Sequence, residues 1–341
     1  MIRCASYSGR RVRPPNAVAL FVDGMLERSV IGSFSRVGIV VRRRLFHWSP
    51  LFDRLDAATV VVTGATSGLG RETAMALARV GARVVMVVRD AERGERTRHD
   101  IVAATANPSV EVVVADLGDL DAVRRAAKRL CQLDAIHVLV HNAGTLNRYR
   151  AESAQGIEST VAAQLLGPVL LTQLIETQLE VGQARVIWVT SGGMYTQRLD
   201  VAALEPAPRD YDGVAAYARV KRAQVSLVGW WAPRLAARGV TMVAVHPGWA
   251  DTPGLRASLP VFRRLLGPFV RTSAEGADTI AWLATCRGSI PPGGLWLDRR
   301  ARPIHRLPTT RLSDTPAERA KLWDYCVSRS GAIDLRHEGG E

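Results

Sequence analysis

The 341-residue chain has no apolar run approaching the roughly 20 residues that span a bilayer, so it is not read as a transmembrane protein. It also has little cysteine. Cys4, Cys131, Cys286 and Cys326 lie far apart, with neither a Cys-x-x-Cys pair nor a neighbouring His at metal-ligand spacing. That excludes a disulfide scaffold and gives no reason to expect a metal site. The four are read as reduced thiols of a cytoplasmic protein that mostly pack as small hydrophobes. Lysine is almost absent: three, at 128, 221 and 321, against 42 arginines. No low-complexity block dominates, and 47% apolar residues with mean hydropathy near zero supply a core, so disordered and coiled-coil readings are excluded.

What is abundant is positive charge, +13 in all. Residues 1–50 hold nine Arg against Asp23 and Glu27, so over half of the excess lies in under a sixth of the chain. No aromatic-interleaved nucleic-acid motif accompanies it, and no nucleic-acid partner is expected. The excess belongs to an N-terminal extension.

From position 59 short β-branched runs alternate with longer helical stretches, the pattern of a parallel sheet with crossover helices. Strands are expected at 59–63, 83–88, 110–115, 136–140, 185–190 and 241–245. Helices are expected at 71–80, between strands two and three up to Asn107-Pro108, at 121–133, at 157–179 and at 215–238, the last kinked by Pro233. The fold class is α/β: a doubly wound parallel sheet in a single Rossmann-type domain over 57–300, with a basic N-terminal extension and a C-terminal tail at 301–341.

Thr63-Gly64-x-x-Ser67-Gly68-Leu69-Gly70 stands where a strand hands over to a helix. Its glycines let the backbone approach a pyrophosphate, which the helix N-terminus then stabilises. Strand two ends Val87-Val88-Arg89, with no carboxylate at its tip for the ribose hydroxyls of NAD. Arg89 points instead to a 2′-phosphate, so NADP(H) is expected as the preferred cofactor and NAD(H) as the alternative. Tyr217 and Lys221, four apart at the head of a helix, project from one face. An ammonium beside a phenol favours the phenolate and makes the tyrosine a usable proton donor and acceptor. Ser191 follows strand five at the carboxyl edge of the sheet, where its hydroxyl could meet a substrate carbonyl beside Tyr217.

Taken together these residues resemble the short-chain dehydrogenase/reductase family over about 245 residues. The glycine motif, Asp116-Leu117, Asn142-Ala143-Gly144, Ser191, Tyr217-x-x-x-Lys221 and Pro247-Gly248 with Thr252 come in the family's order. Ser191-Gly192-Gly193-Met194, His246-Pro247-Gly248-Trp249-Ala250-Asp251-Thr252-Pro253-Gly254 and Glu275-Gly276-Ala277-Asp278-Thr279 are similar to the subgroup of dehydrogenase/reductase member 12, near the retinol-dehydrogenase-like enzymes. The resemblance implies Tyr217 as acid/base, Lys221 holding the nicotinamide ribose and tuning Tyr217, and Ser191 orienting the carbonyl. It also implies Asp116 at the adenine, Asn142 and Gly144 along the cofactor, and Thr252 near the carboxamide. One departure touches the chemistry: where the family has Asn-x-Leu-Gly, this chain has Gln164-Leu165-Leu166-Gly167. Gln164 preserves the proton relay if its backbone carbonyl is what counts, and weakens it if the side chain is.

The expected function is hydride transfer to or from the carbonyl or alcohol carbon of a small, apolar or lipid-like substrate. The alternatives are a non-catalytic nucleotide-binding scaffold and a sugar-nucleotide epimerase, which the glycine spacing disfavours. The apolar segment Pro253 to Val270 is expected either to cover the substrate or to form a packing or homo-oligomer surface. Residues 1–24 lack the apolar core of a secretory signal and are expected to be disordered, with Met25 a plausible start. In 25–56, Val30, Phe34, Val37 and Val41 recur at helical spacing between arginines. That helix is expected either to pack on the core or to rest, through residues 25–52, on an anionic membrane surface as a peripheral contact.

Overall fold

The computed structural model describes residues 17–49, 53–253, 256, 264 and 267–333. Five of the eight strands come from valine-rich segments whose side chains are buried on both faces, as a sheet covered by helices on both sides requires. In chain order they are β1 (Thr59–Thr63), β2 (Arg83–Val88), β3 (Val110–Val114), β4 (Val138–His141), β5 (Arg185–Val189), β6 (Thr241–Val245), β7 (Leu295–Leu297) and β8 (Arg300–Arg302). Their spatial order is β3-β2-β1-β4-β5-β6-β7-β8, parallel throughout except for β8. The order reverses between β1 and β4, the switch point at which doubly wound sheets bind ligands. Alternate residues of one strand serve opposite cores: Val61, Val85 and Leu139 face one, Val60, Val62 and Val84 the other.

Before the sheet come α1 (Ala17–Arg28), α2 (Val30–Phe34) and α3 (Arg36–Leu45). This corrects two expectations. Residues 17–24 are helical rather than disordered, because Asp23 is drawn inward by Arg42 (2.7 Å) and Arg302 (2.9 Å). Nor is 25–52 one helix: Ser29 caps α2 by accepting from the Gly32 amide, and Ser35 breaks the chain again before α3. The expected apolar stripe is thereby split, with Phe34 buried and Val30 and Val37 exposed. Residues 1–16, and with them Cys4, lie outside the described residues.

The crossover helices follow as α4 (Gly68–Arg79), α5 (Ala91–Thr105) and α6 (Leu120–Leu130). The expected helix at 157–179 is a broken one: α7 (Ser159–Val161), a π-helical turn over Ala162–Leu166, then α8 (Gly167–Leu174) and α9 (Glu176–Val181). α10 (Gly213–Ala236), capped by Asp212, continues through Pro233, which falls in its last turns. α11 (Ser273–Thr285) packs beside α4.

The tail expected at 301–341 is part of the fold as far as residue 333. It completes β8, then forms α12 (Pro308–Ser313) and α13 (Pro316–Ser330). α13 packs on α10 and α8, with Trp323 against Trp231 (ring centroids 5.2 Å apart) and Cys326 buried. Cys286 is buried too, but Cys131 is exposed, against the expectation that the cysteines pack inside. No helix among the described residues is long and apolar enough to cross a membrane.

Candidate active site

The glycine motif, Asp116, Asn142, Ser191, Tyr217, Lys221 and Pro247-Gly248 come together at the carboxyl edge of the sheet. The β1–α4 turn is left-handed at Gly64 (φ +67°) and again at Gly68 (φ +54°), where side chains are disfavoured. It is braced from within the sheet. The Thr63 hydroxyl donates to the Val140 carbonyl (3.3 Å) and accepts from the Asn142 and Ala143 amides, both at 3.0 Å. The Asn142 side chain donates to the carbonyls of Thr63 and Gly64. Gly70 has no room for a side chain, since a Cβ would lie 2.3 Å from the Gly64 carbonyl oxygen. Thr63, Asn142 and Gly70 thus shape the turn from behind.

The start of α4 is left open. Ser67, its N-cap residue, makes no capping bond, and no acidic residue stands in the first turn. Uncapped amides at a helix N-terminus suit a phosphate. Leu69 is half-buried, packed against the second core and close to Gly276, while Thr252 faces Gly68 across the turn. Arg89, one residue past β2, is exposed and makes no ion pair among the described residues. Its neighbour Asp90 caps α5 through the Arg93 amide (2.9 Å), and Arg71 is engaged with Glu72 and Asp100. Asp116 is exposed and accepts from the Gly118 amide (2.8 Å), whereas Leu117 belongs to the core and offers only backbone. These features fit a dinucleotide: an open helix start, a glycine turn and a free cation at the tip of β2.

Ser191 caps the short turn Gly192–Thr196 after β5 by accepting from the Gly193 amide (3.4 Å), and its hydroxyl stands near enough to the Tyr217 phenol to lower that group's pKa. Lys221, 3% exposed, donates to the Val189 carbonyl (3.0 Å), with its Nζ 5.3 Å from the centre of the Tyr217 ring. Lys221 is not among the causes that shift the Tyr217 phenol in this geometry. Burial pushes the Tyr217 phenol above its ordinary value, and the Ser191 hydroxyl only partly opposes it. Burial also holds Lys221 down at about 7, which weakens the charge that would act on the tyrosine.

Gln164 sits in the π-helical turn. Its backbone carbonyl is taken by the Gln224 side chain (2.6 Å), and its Nε2 donates to the Thr145 carbonyl (2.6 Å). Its buried Oε1 has no partner among the described residues. A Cβ on Gly144 would lie 2.7 Å from that oxygen and 3.5 Å from Lys221 Nζ, so the three meet on one floor. The backbone carbonyl, the atom expected to preserve the relay, already accepts one bond from Gln224, while the side-chain oxygen is open. Gln224 was missed in the sequence, although its spacing of three from Lys221 puts it on the same helix face.

Past β6, the Pro247 carbonyl accepts from Arg271 (3.3 Å), and left-handed Gly248 (φ +76°) lies against the same guanidinium. Of the expected substrate cover, Leu255, Leu259, Val261, Phe262, Leu265 and Leu266 lie outside the described residues; Phe269 is exposed and Val270 buried.

The short chain dehydrogenase family model matches residues 58–260. Dehydrogenase/reductase SDR family member 12 of Bos taurus is 37% identical, over 77% of this chain and 83% of that protein. Retinol dehydrogenase 12 of Homo sapiens is 36% identical, over 73% of this chain and 82% of its own. A crystal structure of a Mycobacterium paratuberculosis protein superposes with a TM-score of 0.66 at 28% identity, covering 82% of this chain and 96% of the other.

Proposed function

The chain belongs to the short chain dehydrogenase family, as an NAD(P)-dependent oxidoreductase of CH–OH and C=O groups near the member 12 and retinol dehydrogenase branch, and on that premise we propose that it works with NADP(H) on an apolar small molecule. The observation that carries the reading is the meeting of Ser191, Tyr217 and buried Lys221, its Nζ 5.3 Å from the centre of the Tyr217 ring, at the carboxyl edge of the sheet beside an open helix start. The bound nicotinamide supplies or accepts the hydride. Ser191 and Tyr217 present their hydroxyls to the substrate oxygen; Tyr217 gives its proton in reduction and takes one back in oxidation. Lys221 spends one N–H on Val189 and keeps two for the cofactor ribose. Gln164 Oε1 is the acceptor that completes the floor beside it.

Arg89 supports NADP(H), since a free guanidinium suits a 2′-phosphate and no carboxylate competes for the ribose there. The apolar substrate is supported by the composition of residues 253–270 and by a retinol dehydrogenase among the relatives. The N-terminal helices support membrane contact: Val18, Phe21, Met25 and Ile31 are exposed together with Arg28, Arg43 and Arg44, while Ala19, Phe34 and Ile39 pack inward. Mixing the full chain with NADPH and a panel of aliphatic, aromatic and isoprenoid aldehydes and ketones tests the reaction. Oxidation of NADPH by at least one apolar carbonyl is expected. Tight NADPH binding with no turnover on any carbonyl, or on the matching alcohols with NADP, would overturn it.

A further inference from the structure

The Ser191 turn is closed on one side by a residue from far outside the nucleotide-binding core. Phe34, at the end of α2, is 2% exposed and wedged between the Ser191 turn and the loop that follows β6. Its ring meets His246 edge to face (centroids 4.3 Å apart), meets Trp249 edge to face at 5.9 Å and lies nearly parallel to Tyr195 at 6.1 Å. The contact with the turn has no slack. A Cβ on Gly192 would stand 2.8 Å from Phe34 Cε2 and 2.9 Å from His246 Nε2.

The backbone around Phe34 is tied as firmly as the ring. Its carbonyl accepts from the Trp249 amide (2.8 Å). The carbonyls on either side, Ser33 and Ser35, accept from Arg271 at 2.8 and 3.1 Å. Arg42 adds a bond to the Ser33 carbonyl (3.2 Å), and both guanidiniums share the buried Asp298 carboxylate. The charge cluster therefore fixes the α2 corner against the loop after β6, and the ring carries that position to Gly192.

We propose that Phe34 is a positioning residue that holds the Ser191 turn in register with Tyr217, so that the N-terminal helices are part of the working active site. This rests on the reading of Ser191 as the group that orients the substrate oxygen. A hydroxyl displaced by about 1 Å can cost up to a hundredfold in rate, whereas the glycine turn that holds the cofactor lies on other strands.

The test uses the full chain carrying Phe34→Ala or Phe34→Leu, with NADPH as the bound probe and the best carbonyl from the panel as substrate. Phe34→Ala is expected to lower kcat about tenfold or more and to raise the NADPH Kd by a clearly smaller factor. Amide hydrogen exchange should quicken in 191–196 and 246–250 and stay unchanged in 59–79. Gly192→Ala should also lower kcat, because the new methyl group would crowd both Phe34 and His246. A folded Phe34→Ala protein with wild-type kcat and wild-type exchange in 191–196 would overturn the proposal; so would exchange that rises equally in 59–79. Should Phe34→Ala fail to fold, Phe34→Leu carries the same measurements. If the wild type turns over no carbonyl, the functional reading falls, and the exchange pattern still decides whether Phe34 holds the turn.

Discussion

Two turns at the carboxyl edge of the same sheet are held in opposite ways. The glycine turn after β1 is braced from inside, by Thr63 and Asn142 on neighbouring strands, with every bond made within residues 63–143. The serine turn after β5 is braced from outside, by Phe34 and, behind it, by Arg42, Arg271 and Asp298 from opposite ends of the chain. On the proposed function, binding and chemistry therefore lean on different supports, although Thr252 of the loop after β6 also faces Gly68. If the first turn holds the cofactor and the second orients the reacting group, as proposed, the one is built from a short local phrase and the other is held by residues from distant parts of the chain.

Tyr217→Phe separates the two most sharply. Losing a general acid/base costs on the order of a thousandfold in kcat, and the change removes almost no contact with the cofactor. NADPH affinity, measured by fluorescence titration, should stay within twofold. A variant that keeps its rate would remove Tyr217 from the chemistry, and one that loses affinity in proportion would merge the two halves.

The braces themselves come next. Asp298→Asn leaves Arg42 and Arg271, both essentially unexposed, without their shared carboxylate. Breaking a buried ion pair in this way costs about 3–5 kcal/mol. Thr63→Val leaves two amides without their acceptor and should cost about 1–3 kcal/mol. Urea unfolding of both variants reads the ratio directly. The further expectation is a split: Thr63→Val weakens NADPH binding, and Asp298→Asn lowers kcat more than it changes Kd. Equal effects of both variants on both quantities would show that the two turns share one support.

Arg89→Ala tests the binding half alone. Losing a guanidinium–phosphate pair at an exposed site should weaken NADPH about tenfold, or roughly 1.4 kcal/mol, and leave NADH unchanged. Two titrations give the ratio, and a constant ratio would remove Arg89 from cofactor choice.

What could be read from sequence follows the same division. β1, β2 and β6 have the bounds that their apolar runs predict, and the glycine turn, Ser191, Tyr217 and Lys221 are legible because each is a local phrase at a strand end or on a helix face. The outer brace was not legible. Arg42, Arg43 and Arg44 read as one basic run, yet at 100° per residue the helix turns Arg42 fully inward and leaves the other two exposed. Its partner Asp298 stands 256 positions away, and no periodicity reports such a pairing. The tail could have been read better. Thr315-Pro316 with Glu318 marks a helix start, and Leu322, Trp323 and Cys326 recur at helical spacing.

The smallest effect on stability is expected from the outer face of the same N-terminal helices, and it sharpens the comparison within one segment. Ala19 and Asp23 face inward on α1, whereas Phe21 is 70% exposed, with Val18 and Met25 beside it at helical spacing. An exposed side chain without packing partners changes stability by no more than about 0.5 kcal/mol when replaced. Phe21→Asp should therefore leave the Tm and kcat of the full chain unchanged, unlike Phe34→Ala, thirteen positions later. On an anionic bilayer the same change removes buried apolar area and adds a repelled charge. Sedimentation with phosphatidylserine-containing liposomes at low salt should be seen for the wild type and be lost, or fall severalfold, for Phe21→Asp. With neutral phosphatidylcholine vesicles neither protein should sediment strongly, because Arg28, Arg43 and Arg44 then have no anionic headgroups to meet. Equal sedimentation of both proteins would take the membrane contact away from this face, and a wild type that never sediments would remove it altogether. Either result would leave the inner face, with Phe34 and Arg42, doing its work at the Ser191 turn.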